Sequence, residues 1–325
     1  MKRTHERLLP GLEFRCLAGA CPDSCCQEWD VDVDPDSAKR YRALPGELGD
    51  ALRAALTDTE DGTVLAQTSG RCPMWRQDGL CRIQAELGEQ ALCHVCRTFP
   101  RLTHEYEGFT EYALELSCPE AARLILTEAP GRWVPEAEGD LGFLVRSREQ
   151  ARDLLEDSRF SVGERLAVLL IFAGKAEDAL CAGETVPDLD PEAALDTARE
   201  LAGPGELAPV LEFYKSLEIL TKAWRQRLEA PMPVPWTDAH GRLARYFLDR
   251  YWLQAVSDGE IWARAKLVVL SCLTIRFLGG DLTETAQLSS KEIENDPENI
   301  DAILDGAYCE KALTDANLLG LLLRP

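Results

Sequence analysis

The placement of the thiols constrains this chain most. Twelve cysteines occur in 325 residues, and nine of them (Cys16, Cys21, Cys25, Cys26, Cys72, Cys81, Cys93, Cys96 and Cys118) precede residue 120. Only Cys181, Cys272 and Cys309 follow, each in a helical-looking stretch where packing as a small apolar residue is the simpler reading. Core cysteines alone would spread more evenly. The first stretch, CLAGACPDSCCQEWDVDVD, sets four thiols between Cys16 and Cys26; CPMWRQDGLC, CHVC and LSCPE supply the others. Close thiol pairs on turns, completed by more distant residues, are how soft metal ions and clusters are held. The pattern points to a metal centre ahead of inert thiols. Spacing leaves zinc and an iron–sulfur cluster both open. The three-cysteine signature with three and then two intervening residues is absent, because Glu28 stands where its third cysteine would fall. Of the Cys25–Cys26 doublet, at most one is expected on any given iron, the other packing as a small hydrophobe. His94 is expected at the surface.

Composition narrows the function classes. Apolar content is 46%, enough for a core without covalent staples. The net charge of −21 disfavours direct binding to nucleic acid or anionic lipid and otherwise reads as a solubilising surface. No secretory pattern follows the basic start MKRTHERLLPGLEF. The most apolar run, Leu267 to Ile275, is far shorter than the ~20 residues a bilayer span needs. A cytoplasmic, reducing location is therefore expected, which keeps the thiols free as ligands.

The fold expected is mainly α: a cysteine-rich metal-binding part over residues 1–126, with little or no strand, then an α-helical part over 143–325. The Gly-, Pro- and acid-rich stretch from Thr127 to Gly142 is the expected junction. WDVDVD alternates like one short edge strand. Helix starts are marked by Ser161 with Glu164, by Asp190 with Pro191 and by Asp296 with Pro297. ELAPVLEFYKSLEILTKAWRQRL has helical periodicity throughout, and Gly279–Gly280 reads as a helix stop. AGPGELAP lies between helical stretches and reads as a turn, so a Rossmann-type methyltransferase is improbable.

The order of motifs carries more than any one of them. FRCLAGACPDSCCQEWDVDVD, then CPMWRQDGLCRIQAELGEQALCHVCRTFPR, then YALELSCPEAARLIL, with the late SSKEIENDPENIDAIL, resembles the flagellin lysine-N-methylase family of bacteria. The resemblance implies methyl transfer from S-adenosylmethionine to lysine ε-amines of a protein such as flagellin, with a cysteine-bound [4Fe–4S] cluster. By position it carries the family's cysteines onto Cys16, Cys21, Cys25, Cys26, Cys72, Cys81, Cys96 and Cys118, with Cys93 extra. Members often carry histidine where Asn295 stands here. The amine must shed a proton before it attacks, and Glu120, Glu292 and Glu294 are the candidate bases. Arg97 and Arg101 are candidates for the cofactor's carboxylate, and Trp29 for stacking or shielding. The alternatives are a non-catalytic zinc- or iron-binding module with a helical partner-docking part, and a thiol redox sensor.

Overall fold

The computed structural model describes residues 4–7, 14–27, 29–129 and 131–324, the first segment by its backbone alone. Helix dominates, as the periodicity predicts. The chain divides into two compact units: a cysteine unit of residues 14–102 and 118–121, and a helical unit of 4–7, 103–117 and 122–324. The division falls away from the expected junction, and residues 118–121 return to the earlier unit. The helix Gly139–Glu156 starts inside the expected linker.

Strand is more plentiful before residue 115 than expected. In the cysteine unit, Val31–Val33 pairs antiparallel with Thr63–Leu65, which pairs with Leu56–Asp58. WDVDVD thus supplies an edge strand, with Val31 and Val33 buried and Asp32 exposed between them. Asp34 then caps the helix Pro35–Ala43, accepting from Ser37 N at 2.9 Å, with Pro35 at the first helical position. The core joins Val31, Leu52, Leu65 and Ile83 to Cys72 and Cys93, and Tyr41 donates its hydroxyl to the Ala91 carbonyl at 2.8 Å.

The helical unit carries a second small sheet, in which Phe109–Leu114 lies between Thr4–Arg7, parallel to it, and Arg101–Tyr106. Its helices surround Ile261–Leu278, which is buried along nearly all its length and packs on Val162–Cys181. A helix apolar on every side belongs inside. Lys266 is tolerated there because its Nζ donates to the Ala307 and Leu313 carbonyls at 2.7 and 2.8 Å and pairs with Asp315 at 3.0 Å. Arg148 and Glu111 likewise form a buried two-pronged pair at 3.0 and 2.6 Å.

The local helix signals hold. Ser161 and Glu164 form a capping box, and Asp190 and Asp296 cap helices that begin with Pro191 and Pro297. Gly279, at φ 63°, ends the central helix. In AGPGELAP, Gly205 sits at φ 64° against the backbone of Gly320, where a Cβ would lie 2.4 Å from a carbonyl carbon; the segment is a packing turn. Among the described residues no helix is long and apolar enough to cross a membrane.

One expected helix is broken. ELAPVLEFYKSLEILTKAWRQRL forms two, Leu207–Ser216 and Lys222–Glu229. The buried Glu292 carboxylate accepts Leu220 N at 2.8 Å and Thr221 N at 2.9 Å, and Asn299 exchanges hydrogen bonds with both the N–H and the C=O of Glu218. Thr221 then caps the second helix through Trp224 N at 3.1 Å. Tertiary partners thus replace the bonds a continuous helix would make. Glu292→Ala strands the two amides that its carboxylate holds and should cost about 2–5 kcal/mol. The check is a fall in the urea midpoint at unchanged denaturant slope, with Glu292→Gln losing less.

Candidate thiol centre and buried carboxylate cluster

All nine early cysteines belong to the cysteine unit, and their sulfurs interact electrically. Cys25 is exposed, yet a thiolate there acts on Cys21, Cys26, Cys72, Cys81, Cys96 and Cys118. Cys16 and Cys118 each act with Cys21, so Cys16, Cys21, Cys25 and Cys118 form an outer set that runs from the exposed Cys16 and Cys25 to the buried Cys118. Cys26, Cys81 and Cys96 pack against the core that holds Cys72 and Cys93. The doublet is thus graded in burial, with Cys25 exposed, Cys26 half-buried against the core and a hydrogen bond between the two side chains.

Two inner pairs share protons. The hydrogen bond with Cys25 does most to raise the Cys26 pKa; Cys26 also donates to Cys72, which adds to that rise and lowers the Cys72 pKa. Cys96 donates to Cys93, whose pKa falls to about 7 while that of Cys96 rises. Burial pushes Cys118 up to about 11, against the pull of the Ala121 and Glu120 backbone amides. Cys93, extra by motif, is thus as integrated as any other thiol. The later cysteines stand apart: Cys272 is buried alone in the central helix, and Cys181 and Cys309 are exposed at helix ends.

The thiols enter the unit from four segments of the chain. The spacing is that of hydrogen-bonded thiols: among the described residues no three His, Cys, Asp or Glu side chains are arranged to hold a metal ion.

The other expected residues fall in both units. Trp29 is half-buried in the cysteine unit and donates its indole N–H to the Cys25 carbonyl at 2.7 Å, with the Phe99 ring 6.2 Å away. Arg97 is exposed, as is His94, and the Arg101 guanidinium lies over the Phe14 ring at 5.2 Å. Glu120 lies in the first turn of Pro119–Thr127, beside Cys118. Glu292 and Glu294 belong to the helical unit. Glu292, a candidate base by sequence, accepts the two backbone amides of the helix break. Glu294 accepts from the Tyr251 hydroxyl at 2.8 Å and pairs with Arg250 at 2.9 Å, with the Tyr246 hydroxyl 3.3 Å away.

Sequence reasoning missed what surrounds Glu294. A π-helical turn, Ser290–Glu294, presents it, and such turns recur at functional sites. The Asn295 side chain hydrogen-bonds to Glu115, which also accepts from Ser117 at 2.5 Å. Burial raises the pKa values of Glu115, Tyr246 and Tyr251, and burial with the nearby Arg250 charge lowers that of His104 to about 4. The π turn was the only local sign, and SSKEIE reads as ordinary helix.

The structure thus defines a mostly helical protein with a thiol-lined unit. The chain is 33% identical over 128 residues to the Lysine-N-methylase of Salmonella choleraesuis (strain SC-B67), covering 35% of this chain and 30% of that protein. It is 34% identical over 128 residues to the flagellar biosynthetic protein FliU of Salmonella muenchen, covering 72% of that protein. The Lysine-N-methylase of Salmonella typhimurium (strain LT2) matches at 32%, again over 30% of its length. The chain belongs to the flagellin lysine-N-methylase family. The match spans less than a third of the two lysine-N-methylases. No family model and no solved structure matches the chain.

Asp34 ties the first cysteine segment to the third, because its second oxygen accepts His94 N at 2.8 Å. Hydrogen bonds from His94 and Ser37 hold its pKa down, at about 2. An unfolded Asp titrates near ~3.9. The stabilisation is therefore fully present above that pH and is lost as pH falls through about 2. Asp34→Asn should cost about 1 kcal/mol at neutral pH, since the carboxylate is partly solvated, and should flatten the melting temperature between these two pH values. Thermal melts across acid pH test this.

Proposed function

We propose that the chain is a bacterial cytoplasmic protein-lysine N-methyltransferase that moves a methyl group from S-adenosylmethionine to lysine ε-amines of a flagellin-type protein, and that its thiols bind a [4Fe–4S] cluster. The observation that carries the reading is the gathering of nine thiols in one unit, together with the names of the relatives. Such a cluster takes four thiolates, and the set of Cys16, Cys21, Cys25 and Cys118, with Cys16 and Cys25 exposed and Cys118 buried, would supply that number. When bound, the group would organise the thiol-lined unit and would polarise a cofactor held beside it.

The chain's own residues do the rest. Arg97, exposed beside Cys96, would pair with the carboxylate of S-adenosylmethionine, and Arg101 and Trp29 belong to the same unit. A lysine ammonium must lose its proton before its lone pair attacks the sulfonium methyl. Glu120 and Glu294 are the carboxylates for that task. Glu294 is the better furnished, since Tyr246 and Tyr251 keep their protons and Arg250 orients the carboxylate. The formal charge of −21 favours encounter with a lysine-bearing partner.

A second reading, a non-catalytic zinc or iron module with a helical docking part, draws on one observation. Glu292 and Glu294 both have structural partners, so the helical unit needs no reaction to account for them.

Iron and sulfide analysis of anaerobically purified protein separates the readings. Four irons with matching sulfide support the enzyme, whereas one zinc without sulfide supports the module. Cys25→Ser and Cys118→Ser should lose most of the iron, and Cys181→Ser should keep all of it. With methyl-labelled cofactor and flagellin, Glu294→Gln should lower kcat by about 10²–10⁴-fold at unchanged iron content. An iron-replete protein with no transfer to any lysine substrate would overturn the enzymatic reading.

A further inference from the structure

Three buried carboxylates of the helical unit are met directly by arginines. Glu111 has both prongs of Arg148, Asp249 has Arg152 and Arg245, and Glu294 has Arg250 at 2.9 Å. Glu115, just past the strand Phe109–Leu114, is held differently. It accepts from the Ser117 hydroxyl at 2.5 Å and from the Asn295 side chain, both neutral donors. Arg250 acts on it by its charge while pairing with Glu294, so one guanidinium serves two carboxylates. His104, which feels the Arg250 charge, is neutral above about 4 and adds no positive charge.

The two carboxylates belong to one network within the helical unit. Leu116 N, next to Glu115, donates to the Tyr246 hydroxyl at 3.3 Å. That hydroxyl accepts from Arg250 at 3.0 Å and lies 3.3 Å from Glu294. Gln287 donates to the Ser117 carbonyl at 2.9 Å, and Asn295 N closes the π-helical turn onto the Ser290 carbonyl at 3.2 Å. The segment that carries Glu115 and the turn that carries Asn295 are thus fixed on each other.

The carboxylates differ in access. The Glu294 side chain is 2% exposed, and its oxygens already meet Tyr251, Arg250 and Tyr246. Glu115 and Asn295 are both partly exposed, so the cluster reaches solvent on their side. Burial first, and then the Glu294 charge, raise the Glu115 pKa. A cation beside Glu115 opposes both effects.

Resting on the methyl-transfer reading, we propose that Glu115 anchors the substrate's lysine ε-ammonium at the solvent edge of this cluster, with Ser117 and Asn295 aiming its carboxylate and Glu294 behind it as the base. The ammonium is a compact three-donor cation on a flexible stem, suited to a carboxylate at a rim. It brings the second positive charge that one arginine does not supply. A neutral or anionic side chain gains nothing there, which makes Glu115 a determinant of specificity for lysine.

The test takes two readouts on the full chain at matched iron content. The first is transfer of labelled methyl from S-adenosylmethionine to flagellin. Glu115→Gln should raise KM for flagellin about tenfold with a smaller change in kcat, whereas Glu294→Gln acts on kcat. Asn295→Ala removes a bond that aims Glu115 and should raise KM about threefold; it decides the matter if Glu115→Gln fails to fold. The second readout needs no turnover. n-Butylammonium, titrated at constant ionic strength, should bind saturably to the unaltered chain and about tenfold more weakly to Glu115→Gln. KM and butylammonium affinity that both variants leave unchanged overturn the anchor. Glu115-dependent butylammonium binding by a protein that transfers no methyl supports the cation site and overturns the methyl-transfer reading instead.

Discussion

A thiol has two physical characters, and the cysteine unit depends on both. Neutral, it packs as a small apolar group, as Cys72 and Cys93 do beside Val31 and Leu52. Ionised in the same place, it must be compensated. The pairs Cys26–Cys72 and Cys93–Cys96 allow one charge each, because one sulfur donates while the other accepts. A second charge in either pair is opposed by burial and by its neighbour, as the raised pKa values of Cys26 and Cys96 record. The unit can therefore close as a neutral core, but it can bring many thiolates together only around a cation.

The helical unit solves the opposite problem. It buries charges outright and satisfies each with several partners. Lys266 has two carbonyls and an aspartate, Glu292 has two backbone amides, and Arg152 and Arg245 share Asp249 at 2.7 and 2.8 Å. Such groups are poor sources of net stability, yet each is costly to leave half-paired. They fix where helices end and which faces meet.

What could be read from the sequence follows from the range of each interaction. The starts at Ser161, Asp190 and Asp296 were legible because a cap and its target lie within three residues. The break before Lys222 was not, because its cause, Glu292, lies far along the chain. Thr63–Leu65 and Leu56–Asp58 are three residues each, too short for alternation to show. Phe109–Leu114 buries its first three residues in a row, which hides a strand's period. The thiols were legible as a group, since their crowding is a property of order along the chain. Their partition was not, because Cys25 and Cys26 are neighbours that differ only in burial.

That partition bears on how a doublet can serve one centre. Adjacent residues cannot both point at a single small site without straining the backbone between them. Here the Cys25 carbonyl is held by the Trp29 indole, while Cys26 N donates to Ser24 Oγ at 3.2 Å and the Cys26 carbonyl accepts from Cys72 N at 2.8 Å. The backbone on both sides of the doublet is thereby fixed, and the two side chains remain in reach of each other through a hydrogen bond. Cys25 joins the outer thiols, while Cys26 carries the link inward to Cys72. A centre held by the outer thiols would sit one residue from a proton-sharing pair, so its charge would be felt in the core without the core supplying a ligand.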